Sequence, residues 1–167
     1  MTGVVRAMAG WSALLCALAA PASGWAGDPG LPATAPHDAA ALLQRTGADE
    51  RGMRRYVLVV LRTGPTRVED PEARKAMFAG HFANMARWSE AGKLVLAGPF
   101  LQDASGWRGL YVFAVADQAE ARALAETDPV VVSGEMVAEY HDWYGSAALV
   151  LLPEQHAELE RQAKPAK

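Results

Sequence analysis

Thiols are almost missing from this chain: among its 167 residues Cys16 is the only cysteine. It lies in an apolar stretch near the N-terminus, and Leu15 stands where a lipoprotein signal needs a small residue. If that stretch is removed, disulfides, cysteine-ligated metals and thiol nucleophiles are all excluded. The histidines are few and scattered (His37, His81, His141 and His156), with no HxH or HxxxH spacing. A metal centre needs three or four converging ligands, so neither a metal nor another cofactor is expected. Basic charge is not in excess either, with 16 Lys and Arg against 19 Asp and Glu and a net charge of −3. The one basic cluster, Arg51, Arg54 and Arg55, precedes a strand-like segment and suits a solvated edge. Nucleic acid is therefore not an expected partner. Phosphate-cradling loops and serine-nucleophile elbows are also absent.

What is present begins with a leader. Met1 to Arg6 gives a short positive region, and Ala7 to Ala20 is a nearly uncharged run containing Trp11, Leu14, Leu15 and Leu18. Small residues follow at Ala20-Pro21-Ala22 and Gly24-Trp25-Ala26, spacings that a signal peptidase uses. The run is shorter than the roughly 20 residues that span a bilayer, which favours a cleaved signal peptide over a permanent anchor. Residues 1–26 are read as a signal peptide, with export, to the periplasm, as the expected destination. No membrane span is expected after cleavage. Residues 27–52, rich in Ala, Pro, Gly and Asp, read as a flexible linker with one helical turn around Asp38 to Gln44.

The pattern sharpens after that. Tyr56 to Leu61 is a continuous apolar, β-branched run closed by Thr63-Gly64-Pro65, as a strand covered on both faces would be. Pro71 to Ala91 reads as a long helix, capped by Asp70 and stopped at Gly92. Met77, His81, Met85 and Trp88 fall on one stripe of it. Leu94 to Leu101 and Gly109 to Val115 read as strands. Asp117 to Thr127 reads as a second helix with a capping box from Asp117 and Glu120. After Asp128-Pro129 and a turn at Gly134, Glu135 to Trp143 alternates as a last strand. The domain is placed at 53–146 and a polar, partly helical C-terminal tail at 147–167. The order β-α-β-β-α-β is the split arrangement of α+β, ferredoxin-like folds. Such a sheet carries helices on one face only, so the buried first strand predicts a homodimer packed through the other sheet face.

Several segments together resemble the YciI-like (YCII-related) family. They are Tyr56-Val57-Leu58 with Arg62 and Gly64-Pro65, then His81, then Gly92-Lys93-Leu94-Val95-Leu96-Ala97-Gly98-Pro99. Gly109 to Phe113, Glu120-Ala121, Asp128-Pro129 and Trp143 continue the match, which covers about Arg55 to Gly145. The resemblance implies a ferredoxin-like domain of the dimeric α+β barrel type, with His81 and Asp128 as an active pair. It also implies cofactor-free acid–base chemistry, since some relatives are similar to lactone-processing and dehydrochlorinating enzymes.

From the residues themselves, histidine suits proton transfer near neutral pH, and an adjacent carboxylate would orient its ring and stabilise the imidazolium. Arg62 would neutralise a substrate carboxylate, and Gly98 would allow close approach of a ligand. Bland readings stand beside these. His81 also suits a satisfied core histidine, Asp128 a helix end before proline, Arg62 a surface residue and Gly98 a bulge. Two functions are expected. One is a lyase- or isomerase-like enzyme that moves a proton on a small carbonyl or lactone compound. The alternative is a non-catalytic, small-ligand-binding or accessory homodimer of the cell envelope.

Overall fold

The computed structural model describes residues 38–101 and 104–163. The expected signal peptide, residues 1–26, and residues 27–37 of the expected linker lie outside the described residues. Residues 38–52 contain a capped helix, α1 (Ala39–Thr46), begun by the Asp38 side chain and ended by Gly47 in the left-handed region. The domain follows as β1 (Met53–Thr63), α2 (Pro71–Glu90), β2 (Leu94–Pro99), β3 (Trp107–Phe113), α3 (Gln118–Ala125), α4 (Pro129–Val132) and β4 (Met136–Ser146). A 3-10 helix, Ala147–Leu151, and α5 (Leu152–Ala163) close the chain. Among the described residues, no helix is long and apolar enough to cross a membrane.

The sheet order is β2-β3-β1-β4, and every neighbouring pair is antiparallel. This is the ferredoxin-like α+β arrangement expected for the split β-α-β order. The central strand β1 pairs with β4 without interruption from Met53↔Ser146 to Thr63↔Met136. Its register with β3 shifts between Leu61 and Arg62. Helix α2 is bounded as its sequence predicts. Asp70 accepts the Ala73 amide at 2.7 Å, Pro71 opens the first turn, and Gly92 (φ 69°) lets the chain turn out.

Strand alternation divides β1 between two cores. Val57, Val59 and Leu61 face the helices with Tyr111 and Phe113, against Met77 and Trp88 of α2, Ala121 and Ala125 of α3, and Val130 of α4. Trp88 sets its ring edge-on to Tyr111 (5.8 Å) and Phe113 (5.5 Å), which fixes the angle of α2 over the sheet. On the other face, Tyr56, Val95 and Val112 pack with Leu58, Leu110, Leu149 and Val150. The chain's own 3-10 helix thus covers part of the face for which the sequence predicts a second copy. Val137 (48% exposed) and Trp143 (39% exposed) remain open.

The loop between β1 and α2 is tied to the start of β4 by Glu135. This buried carboxylate accepts the Val68 amide at 2.8 Å and the Arg74 guanidinium at 2.7 Å. The Val68 amide first, and Arg74 after it, hold the Glu135 carboxyl below its ordinary value. A group lowered in the folded state contributes stability above its unfolded value, near 4.5, and loses that contribution as pH falls through the folded value. Glu135→Gln should therefore be less stable than the parent at pH 7, and the difference should shrink as pH falls below 4.5. Urea unfolding of both proteins from pH 7 to pH 3 measures this. A gap that stays constant with pH would contradict the role given to Glu135.

Candidate functional site

The stripe on α2 turns His81 towards the sheet. Met77, His81 and Trp88 are buried, and Met85 packs against the same core. An edge position for Asp128, at the end of α3, would leave it remote from the middle of α2. The chain instead turns at Asp128 into the separate short helix α4, which packs across α2. Asp128 is the cap of α4, extended at φ −73°, ψ 127° as a residue before proline prefers. Its side chain points inward with no solvent exposure.

His81 and Asp128 therefore meet. His81 Nδ1 lies 2.9 Å from Asp128 Oδ2 and 3.0 Å from Oδ1. The Tyr111 hydroxyl donates to Asp128 Oδ2 at 2.7 Å and stands 3.1 Å from His81 Nδ1. The Val130 amide adds a bond to Oδ1 at 3.2 Å. Burial, reinforced by the Asp128 charge, pushes the Tyr111 hydroxyl far above its ordinary range, so it stays protonated and donates. Donation from Nδ1–H to the carboxylate leaves Nε2 as the acceptor of a neutral ring. Among the described residues Nε2 has no hydrogen-bond partner, and the side chain is 11% exposed, beside Phe82 (centroids 5.2 Å) and edge-on to Phe78 (6.1 Å). With Nδ1 held by Asp128, Nε2 is the ring atom left for proton exchange with a ligand.

Arg62 and Gly98 do not join this pair. Alternation along β1 places Arg62 with Leu58 on the face away from the helices, where it pairs with Glu139 at 2.9 Å. Gly98 lies opposite Leu110 on that same face, and a Cβ there would meet open space. The close approach belongs to Gly109, whose added Cβ would stand 3.0 Å from the Gly98 carbonyl oxygen. Two clefts, of about 490 and 720 Å³, are lined by neither His81 nor Asp128. Among the described residues, no cluster of His, Cys, Asp and Glu is arranged to hold a metal ion.

Two residues that position the pair are not singled out by the sequence reading. Tyr111 falls there only within the strand read at Gly109 to Val115, although a tyrosine on the buried side of a central strand needs a partner for its hydroxyl. Gly80 precedes His81 on α2, and a Cβ there would lie 2.9 Å from Pro129 Cγ. The missing side chain lets α4 approach α2 closely enough for Asp128 to reach the ring. Gly80→Val should separate the helices and cost about 1–3 kcal/mol, a typical price for overpacking. Thermal unfolding gives the test, and an unchanged midpoint would show that the contact is unimportant.

No curated protein matches the chain. A solved structure similar to part of it is 5-chloro-2-hydroxyhydroquinone dehydrochlorinase from Burkholderia phenoliruptrix AC1100, in complex with 2,5-dihydroxybenzoquinone. That similarity has 18% identity and a TM-score of 0.39, and covers 52% of this chain and 92% of the other. The model of the YCII-related domain matches residues 55–143, a span that contains His81, Tyr111, Asp128, the whole of β2 and β3 and most of β1 and β4. The chain belongs to the YCII-related domain family.

Proposed function

We propose that His81 and Asp128 form a cofactor-free acid–base pair acting on a small carbonyl or lactone compound. The observation that carries this reading is the asymmetry of the imidazole. Nδ1 is held by a fully buried carboxylate, while Nε2 has no partner among the described residues and the side chain keeps some exposure. Nε2 would take a proton from the substrate, and the resulting imidazolium would be stabilised by Asp128 and return the proton at a second atom. Tyr111 would hold the carboxylate in register, and Phe78 and Phe82 would present an apolar wall to the substrate. Reaction at Nε2 fits a lyase- or isomerase-like proton transfer.

A non-catalytic role as a ligand-binding or accessory protein is favoured by one observation, that the two clefts are lined by residues other than His81. Either role fits an exported protein, which the composition of residues 1–26 supports. Either also fits a homodimer, supported by the exposed Val137 and Trp143 on the sheet face away from the helices.

Solvent deuterium incorporation into a panel of small ketones and lactones, followed by NMR, separates the two readings. Loss of acid–base catalysis typically costs about 10²–10⁴-fold, so His81→Ala should lower any exchange rate by that range. Asp128→Asn keeps a good cap for α4 but removes the charge, and should lower the rate while the fold persists. Exchange in the parent that survives His81→Ala would remove the proposal.

A further inference from the structure

The larger cleft is built by a part of the chain that follows the family domain. Its walls are α2, strand β2 and α5, and α5 begins nine residues after the last matched position, 143. It encloses about 720 Å³, within the roughly 300–1,000 Å³ common for small-molecule sites. Phe82 and Met85 of α2, Leu96 of β2, and Leu152 and Leu159 of α5 give it apolar walls. Four of these side chains are also conspicuously exposed: Phe82 at 61%, Leu159 at 64%, Leu96 at 41% and Leu152 at 38%. Large apolar side chains scattered singly over a surface need no explanation, but four converging on one cleft do.

Helix α5 is unusual in a second respect, because none of its residues is buried. It is held at its start by the 3-10 helix and by an ion pair from Glu154 to Arg45 of α1 at 2.9 Å. It runs beside β2, and Leu152 and Leu159 line the cleft between α5, β2 and α2. A helix that presents leucines to an open cleft gains from them only when something fills it.

We propose that this groove binds a small, neutral, apolar molecule, with α5 as its outer wall. The volume, within the range of small-molecule sites, favours a small molecule over a second copy of the chain. The charged lining residues argue against an anion. Glu90 and Glu160 are carboxylates, and His156, 4.0 Å from Glu160, is already beside one of them. Neither carboxylate is buried, so both remain solvated at the mouth and leave the apolar walls to set the preference. The site is distinct from His81, although Phe82 borders both.

Fluorescence titration of the full chain with N-phenyl-1-naphthylamine, a neutral apolar probe, tests the proposal. Saturable binding at one site per chain is expected. Leu159→Glu places a charge in the wall and Ala157→Trp fills the space, and each should weaken binding at least about tenfold. Both positions lie on a helix with no buried residue, and circular dichroism confirms that each variant is folded. His81→Ala should bind the probe as the parent does, so this result is independent of the proposed proton transfer. Binding that is non-saturable, or that both variants retain at parental strength, overturns the proposal. So does a dimer in sedimentation equilibrium that Leu159→Glu dissociates, since a second copy would then be the occupant.

Discussion

A carboxyl group with no access to water must find its hydrogen-bond donors inside the protein, and Asp128 organises this fold around that requirement. Its oxygens accept from an amide of α4, from the hydroxyl of β3 and from the ring of α2. Three elements far apart in sequence are thereby brought to one point. Each donor also has its own reason to be there. The amide is an unsatisfied group at a helix start, the tyrosine is buried on a central strand, and the histidine lies on the core stripe of its helix. The candidate site thus coincides with the point where these buried polar groups are satisfied, and among the described residues only one imidazole nitrogen is engaged.

The surrounding packing keeps that arrangement narrow. Trp88 wedges against Tyr111 and Phe113 and fixes α2 from below, while Gly80 admits the Pro129 ring from the side. The two contacts constrain α2 in different directions. A ring contact along the sheet cannot substitute for close approach between helices, because side chains in a packed interior move only in discrete steps.

Much of this was legible in the sequence. The unbroken apolar run at Tyr56–Leu61, the Asp70-Pro71 start, the Gly92 stop and the Asp117 cap are local signals, set by a few adjacent residues, and the strand order follows from their succession. Individual ends were less so. The last strand continues to Ser146 because β1 offers it pairing partners down to Met53, which is a property of the partner strand. Asp128-Pro129 was visible as a break, but not that the break starts another helix across α2. That depends on the Gly80 contact, 49 positions away from Pro129. Arg62 and Gly98 had plausible chemistry in the sequence. Which face each occupies depends on strand register, and a single step reverses it.

The 3-10 helix has a consequence for what counts as the folding unit. Its Leu149 and Val150 cover Tyr56 and Val112, and the Tyr56 hydroxyl donates to the Ser146 carbonyl at 2.8 Å. All three of these covering groups lie beyond residue 143, where the family match ends. The unit recognised by descent is thus smaller than the unit that shields its own sheet. A domain boundary drawn from ancestry would cut through a hydrophobic core, turning Tyr56 and Val112, which the intact chain buries, towards water.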